Sequence, residues 1–491
     1  MSICSPEKPE DAFLAAESRV IAGSLRQTTS KHTGRYGTEA RVQPEDMCIQ
    51  PAMFFTAAEP VPSYLPPQWS AHVHPEGQLY FYRQAALRIV TEAYIYDRDT
   101  MEKLTYWIKE IEDLIPRKQI LLTDDVELFL QIEGDDCAYY FVDHRSRTQF
   151  WLDVVDTDDL GLLPAVSPSH LRLALHELYW MHVEYFPMHF NGLTAPVVDE
   201  LTGVFSHALA DHMTSRNSTF PYAEADCAKF LKLLKTAREL RDGHITCFIA
   251  RLWHLVYRHR FSTHYGEQHA RLSRDQPILV DTSRESRRIG SMTSLLTFKT
   301  SDAYVARLND IYTDHLVYAH QWQPFMAKCL KDWGSWSHFA LSSLVLHLLL
   351  CFIPSSRLLS IFSASCLGAS MISSIFLVHR HDHLENATAT EAMIYLNGVR
   401  SDNFKFQLVA FAYSLPKALY FWGLTSLTMN CILAIAISAP ACSSWILSFL
   451  GLLSLCLFAL LAFQDATSSR KILRLPKLRW RRVKTDETLQ V

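Results

Sequence analysis

Tyr140 and Trp151 bracket the polar run Asp143-His144-Arg145-Ser146-Arg147, and their types and spacing suit recognition of an extended peptide. From Tyr139 to Trp151 (YYFVDHRSRTQFW) two short strands rich in Tyr, Phe and Val enclose that run, the pattern of a β-hairpin. On such a hairpin Tyr140 and Trp151 share a face. Paired aromatic rings accept a polyproline II ligand at small entropic cost, because that helix is already extended. Metal or acid–base chemistry would draw on the 22 histidines, but their spacing is unfavourable. His176-Glu177 and His182 are too far apart for one helix face, where a separation of three or four is needed. His264 and His269 are no better spaced, and His347, inside an apolar run, reads as a polar helix contact. No nucleophile elbow, phosphate loop or dinucleotide fingerprint is present, and 16 glycines leave little material for phosphate-cradling loops. Neither a catalytic residue nor a metal ligand nor a cofactor is expected.

The order of aromatic residues in this hairpin resembles the second half of a WW domain. Tyr140 and Phe141 match the central aromatic pair, His144 the specificity-loop histidine, Arg147 and Thr148 the approach to the third strand, and Trp151 the ligand-binding tryptophan. Phe129 stands where the family has its structural Trp, and Val154 where it has a Pro. A second copy lies upstream, where Leu65-Pro66-Pro67-x-Trp69 matches the amino-terminal clasp and Tyr80-Phe81 the aromatic pair, but Thr91 replaces the second Trp. The resemblance implies ligand contacts from Tyr140, Val142, His144, Arg147 and Trp151. It implies fold positions for Pro66, Trp69, Tyr80, Phe81, Phe129 and Phe141. The partners implied are proline-rich or Pro-Pro-x-Tyr-like segments, and Pro60-Val61-Pro62-Ser63-Tyr64 is an internal candidate. Because each copy keeps only one of the two tryptophans, the modules are expected to depend on each other or on neighbouring helices. His379-x-His381-x-His383 resembles one histidine box of the membrane desaturases and hydroxylases; diiron sites need several, so these read as interfacial histidines.

Around these motifs the chain reads as multi-domain: two small antiparallel β (WW-like) modules, a mainly α-helical cytoplasmic domain and a four-helix transmembrane block. The expected bounds are a disordered stretch over 1–45, modules at 60–95 and 124–156 with a linking helix at 98–117, and a helical domain over 165–335. A mean hydropathy near zero conceals an apolar end. Gly334 to Ser356 and Leu358 to Val378 carry no Asp, Glu, Lys or Arg, nor does Ala418 to Gln464, which Ser438-Ala439-Pro440 divides. Within 336–464 these runs give spans near 338–354, 358–378, 418–438 and 443–463. The basic tail over 465–491 includes Arg470, Lys471, Arg474, Lys477, Arg479, Trp480, Arg481 and Arg482, which suit an anionic membrane surface. The positive-inside rule then keeps both termini cytoplasmic. Ser360, Ala364 and Gly368 form a small-residue stripe that would let another helix approach. A net charge of −4 argues against nucleic-acid binding, and the cysteines have neither zinc-site nor disulfide spacing. As a whole the chain is similar to WW-domain-containing integral membrane proteins of filamentous fungi, which implies an architecture and no activity. Three functions fit: a membrane-anchored adaptor, a membrane-associated enzyme or lipid-handling protein with its site in the helical domain, and a membrane-shaping hairpin protein.

Overall fold

The computed structural model describes residues 22–36, 41–49, 51, 65–215, 217–280, 287–350, 356–438, 449 and 451. The chain divides into two compact units, residues 1–272 and 273–491. In the first, one seven-stranded mixed sheet contains β1 (Leu25–Gln27), β2 (Trp69–Val73), β3 (Leu79–Arg83), β4 (Arg88–Thr91), β5 (Val126–Glu133), β6 (Asp136–Asp143) and β7 (Thr148–Phe150). The spatial order is β1-β6-β5-β4-β3-β2, and β7 also pairs with β6. Gly77, at φ 98°, closes the β2–β3 turn, where its N–H donates to the His74 carbonyl at 2.7 Å. Gly134, at φ 66°, opens the two-residue β5–β6 loop, a conformation that a side chain would resist.

The meanders β2-β3-β4 and β5-β6-β7 are each antiparallel, but β4 and β5 pair in parallel across α1 (Arg98–Arg117). The segments expected as two separate modules are therefore halves of one sheet. Side chains alternate across it, and both faces are covered, so its strands read as near-continuous apolar runs. Phe81, Leu128, Tyr139 and Phe141 join Trp69 in the core beneath α1. Tyr80, Val90, Phe129, Tyr140 and Val142 face the other way. The residues assigned to WW fold positions thus serve two cores on opposite faces. Pro66 stays at the margin, half-buried, and its carbonyl accepts from the Trp69 N–H at 3.1 Å. Helix α1 begins at the Asp97 cap, whose carboxylate accepts from the Thr100 N–H at 2.9 Å, and buries Leu104, Trp107, Ile108 and Ile111 at i, i+3, i+4 and i+7.

The second face carries α2 (Pro168–Tyr185), α3 (Ala195–Thr214), α4 (Glu224–Ala237) and α5 (Gly243–Ser262). Ser167 caps α2 and Pro168 fills its first position, where a missing N–H costs nothing. Between the sheet and α5, residues 177–184 of α2 are buried all round, and Trp180 stacks on Trp253 at 5.7 Å. Helices α2 to α5 share their core with the sheet, so the helical domain expected over 165–335 does not stand apart; its later part falls in the second unit. The amino-terminal stretch expected to be disordered also contributes, through β1 alongside β6 and through the Ser30 hydroxyl, which donates to the Leu178 carbonyl at 2.8 Å.

The second unit contains α6 (Arg287–Leu296), α7 (Thr300–Ile311), α8 (Ala319–Leu350), α9 (Arg357–His381), α10 (Ala389–Val399) and α11 (Gln407–Ser438). A capping box starts α10, with the Thr388 hydroxyl accepting from the Glu391 N–H and the Glu391 carboxylate from the Thr388 N–H. Two segments are long and apolar enough to cross a membrane, Arg357–Leu384 and Gln407–Ile435. Among the described residues that is half of the expected four-helix block. The span expected at 338–354 is largely the end of α8, which does not qualify, and 443–463 and the basic tail lie outside the described residues.

Helices α9 and α11 meet along Ser363, Leu367 and Ser370; of the Ser360-Ala364-Gly368 stripe, Ser360 also reaches α11, its hydroxyl accepting from Asn430 Nδ2 at 3.3 Å. The Ser363 hydroxyl donates to the Gly423 carbonyl at 2.9 Å and that of Ser370 to the Pro416 carbonyl at 2.7 Å. At Gly423 a Cβ would lie 2.8 Å from Leu367 Cγ and 3.1 Å from Leu367 N. Gly423→Ala is therefore expected to destabilise the pair by about 1–3 kcal/mol through overpacking, although alanine is the better helix former. Gly368→Ala, where a Cβ meets nothing within 4 Å, should leave thermal melting in detergent unchanged or raise it slightly.

Candidate metal centre

Glu127, the second residue of β5, points toward α2 with Phe129, and its carboxylate is almost completely shielded from solvent. Three imidazoles face it. His182 of α2 donates through Nε2 to Oε1 at 2.8 Å, His189 through Nε2 to Oε2 at 3.2 Å, and His144 Nε2 stands 3.6 Å from Oε2. The side chains of His182 and His189 are 0% and 4% exposed, that of His144 13%, so His144 marks the more open side. Ligand atoms of Glu127, His144 and His182 all lie within 4.8 Å of one another. Tetrahedral zinc with bonds of 2.0–2.1 Å separates its ligand atoms by about 3.3 Å, so small rotations would close this set around an ion.

Four elements bring these groups together. His144 follows β6 on the Tyr140–Val142 side, where its N–H donates to the Asp125 carbonyl at 3.0 Å. His182 lies four residues before Phe186 on the sheet-facing side of α2. His189 belongs to the segment after α2, pinned by the Tyr80 hydroxyl, which accepts from the N–H groups of Met188 at 2.8 Å and His189 at 3.2 Å. Each Nδ1 meets a phenol: Tyr140 at 3.1 Å from His182, Tyr80 at 3.3 Å from His189 and Tyr179 at 3.4 Å from His144. Such outer partners fix ring orientation and tautomer in metal sites.

Burial alone would raise the Glu127 carboxyl, but the charge of His189, the hydrogen bonds from His182 and His189 and the nearby His144 outweigh it and hold the group well below the usual carboxylate range. Burial lowers His182, against the pull of Glu127, which favours the neutral ring that a metal requires. Burial likewise pushes the Tyr140, Tyr80 and Tyr179 phenols up, so they remain protonated. An ionised carboxylate and imidazole nitrogens are the donor types that hold a divalent transition ion, with the neutral phenols as outer partners.

The proline groove expected from the sequence is not formed. Tyr140 and Val142 are fully buried beneath α2, because that face of β6 meets a helix and not solvent. Trp151 is half-buried and donates its indole N–H to the Thr28 carbonyl at 2.8 Å. Arg147, at φ 56°, turns the chain before β7 and lies 5.6 Å over the Trp180 ring. Of the five peptide contacts expected, His144 belongs to the carboxylate cluster and Tyr140 supports it. His176 instead hydrogen-bonds the Arg147 carbonyl at 2.7 Å and Glu177 pairs with Lys31 at 3.0 Å, so His182 gains its neighbours from other elements. The box after α9 does not converge either: His381 is buried between the Leu377 carbonyl and the Tyr395 hydroxyl, while His379 and His383 are exposed.

Glu127, His182 and His189 had no sequence signature as a set, since the ligands are scattered among distant segments. One signal was present: Glu127 is a lone acid in the apolar strand VELFLQI, and buried carboxylates are rare unless paired or bound to metal. No protein-family model, curated protein or solved structure matches the chain.

Proposed function

We propose that this protein is a membrane-associated metalloprotein whose amino-terminal unit holds one divalent first-row ion, zinc in first place, on Glu127, His144, His182 and His189. The observation that carries this reading is the convergence of three Nε2 atoms on one buried carboxylate, with each Nδ1 backed by a phenol. Protons alone serve the arrangement poorly, because His144 Nε2 is buried with no hydrogen-bond partner. An ion among the four groups would use that lone pair. Three imidazoles and one carboxylate suit zinc, and the sheet-to-α2 location gives the ion a bracing role.

Membrane association is supported by the two apolar segments, of which only 28% of each most apolar window is buried, far less than in the core helix of a soluble protein. The basic residues near the chain's end favour a cytoplasmic amino-terminal unit. Proline-peptide binding would require Tyr140 and Val142 to leave the core to meet a ligand.

Metal analysis of the full chain, purified in detergent and reconstituted with zinc, tests the proposal. About one zinc per chain is expected, resistant to gel filtration and released on acidification as the ligands take up protons. Sub-stoichiometric metal after reconstitution, or equal loading of a His144→Ala/His189→Ala double variant, would sink it.

A further inference from the structure

We infer that the centre binds a small oxyanion, a carboxylate or phosphate group, with one oxygen added to the ion as a fifth ligand and another on the guanidinium of Arg88. This rests on the metal reading above. Arg88 and Glu127 are register partners in the parallel β4–β5 pair, one step before Ile89↔Leu128 and two before Val90↔Phe129. Residues directly paired in this way project to the same face, so Arg88 emerges beside the carboxylate on the α2 side. Yet the Glu127 oxygens face histidines, and Arg88 donates to the Val126 carbonyl through Nε at a long 3.4 Å and to the Tyr82 side chain. One terminal guanidinium nitrogen is buried with no hydrogen-bond partner.

That orphan donor is the second observation, independent of the histidines. A guanidinium presents a planar fork suited to two oxygens of one anion, and an unmatched buried donor is costly. Charge points the same way. A divalent ion with three neutral imidazoles and one carboxylate keeps a net positive charge, and Arg88 adds another in a poorly hydrated place. An anion that touches both relieves each of them. The approach would be from the less buried side, past His144 and the half-buried Tyr82, which stacks on His189 at 4.3 Å.

Cobalt serves as the probe, because its visible bands report coordination number. The full-length protein in detergent would be loaded with Co2+ and titrated with inorganic phosphate and, separately, with acetate, which distinguishes the two oxyanion classes. A saturable change of the bands with at least one of them is expected in the wild type. Arg88→Met, which keeps the aliphatic stem, should bind Co2+ normally but require about ten- to a hundredfold more anion. Arg88→Lys, a point charge without the fork, should fall between. Should Arg88→Met fail to load cobalt, Arg88→Lys against wild type decides the matter. Bands indifferent to both anions, or titrations that superimpose for wild type and the Arg88 variants, overturn the inference while the metal reading stands. Absence of cobalt bands in the wild type overturns both.

Discussion

His182→Ala is expected to weaken zinc binding by more than a hundredfold and to cost the metal-free protein about 2–4 kcal/mol. The first figure exceeds the ten- to hundredfold loss usual for an outer-shell partner, because His182 is itself a ligand in the proposed set. The second follows from burial. The ring is fully enclosed, so its loss leaves a cavity beside Phe186 and Tyr140, removes the shortest bond to Glu127 and leaves the Tyr140 hydroxyl without its partner. Melting of the full chain in detergent, with and without zinc, separates the two effects. In the wild type, zinc at a thousand times its Kd adds about 4 kcal/mol, a gain the variant should lack. Tyr140→Phe provides the intermediate case: it keeps all four ligands and should lose about ten- to a hundredfold in affinity. If zinc stabilises the His182→Ala variant as much as the wild type, the ligand assignment is wrong.

Arg35→Ala is the second large effect, about 3–5 kcal/mol, the range for removing one member of a buried ion pair. The Arg35 side chain is 2% exposed, and its Nε donates to Glu92 at 3.0 Å just beyond β4. A terminal nitrogen donates to the Tyr185 carbonyl at 2.9 Å, and the guanidinium lies 4.8 Å over the Tyr185 ring. Arg35 thereby clamps the amino-terminal segment to the end of β4 and the end of α2. Burial raises the Glu92 carboxyl, and Arg35 opposes the rise. A carboxyl raised in the fold weakens the protein as pH climbs above the ordinary value of 4.5, because the folded form resists losing the proton. Without Arg35 that rise should grow. The deficit of Arg35→Ala is therefore expected to be greatest near neutrality and to shrink as pH falls toward 4.5, as denaturant midpoints at several pH values would reveal. A deficit independent of pH would place its origin in lost packing alone.

Much of this architecture was legible in the chain, though under the wrong boundaries. Tyr80-Phe81 and Tyr140-Phe141 lie in strands, and the turns at Gly77 and at 144–147 fall between strands. What local pattern could not reveal was pairing between distant segments. The β4–β5 parallel contact joins strands separated by a helix, and it turns two apparent modules into one sheet with both faces buried. The same fact decides the fate of the aromatic pairs. In an isolated three-stranded meander one of each pair would meet solvent or a ligand; in this sheet the tyrosines turn toward α2 and the phenylalanines toward α1. By local pattern Tyr140 and His144 stand out only as parts of an aromatic groove. Their neighbours in space are His182 and Glu127, which no short spacing connects to them.

The pairing of β1 with β6 also bears on synthesis. Ser24 bonds to Asp136, 112 positions further along, and the chain must grow by that much before this contact can form. At about 5–20 residues per second that is a wait of roughly 6–22 seconds, during which the early strand has no partner from its own sheet. Closure of the sheet edge is thus a late event, sequenced by translation, and until β6 emerges β1 stays open to chaperones and proteases.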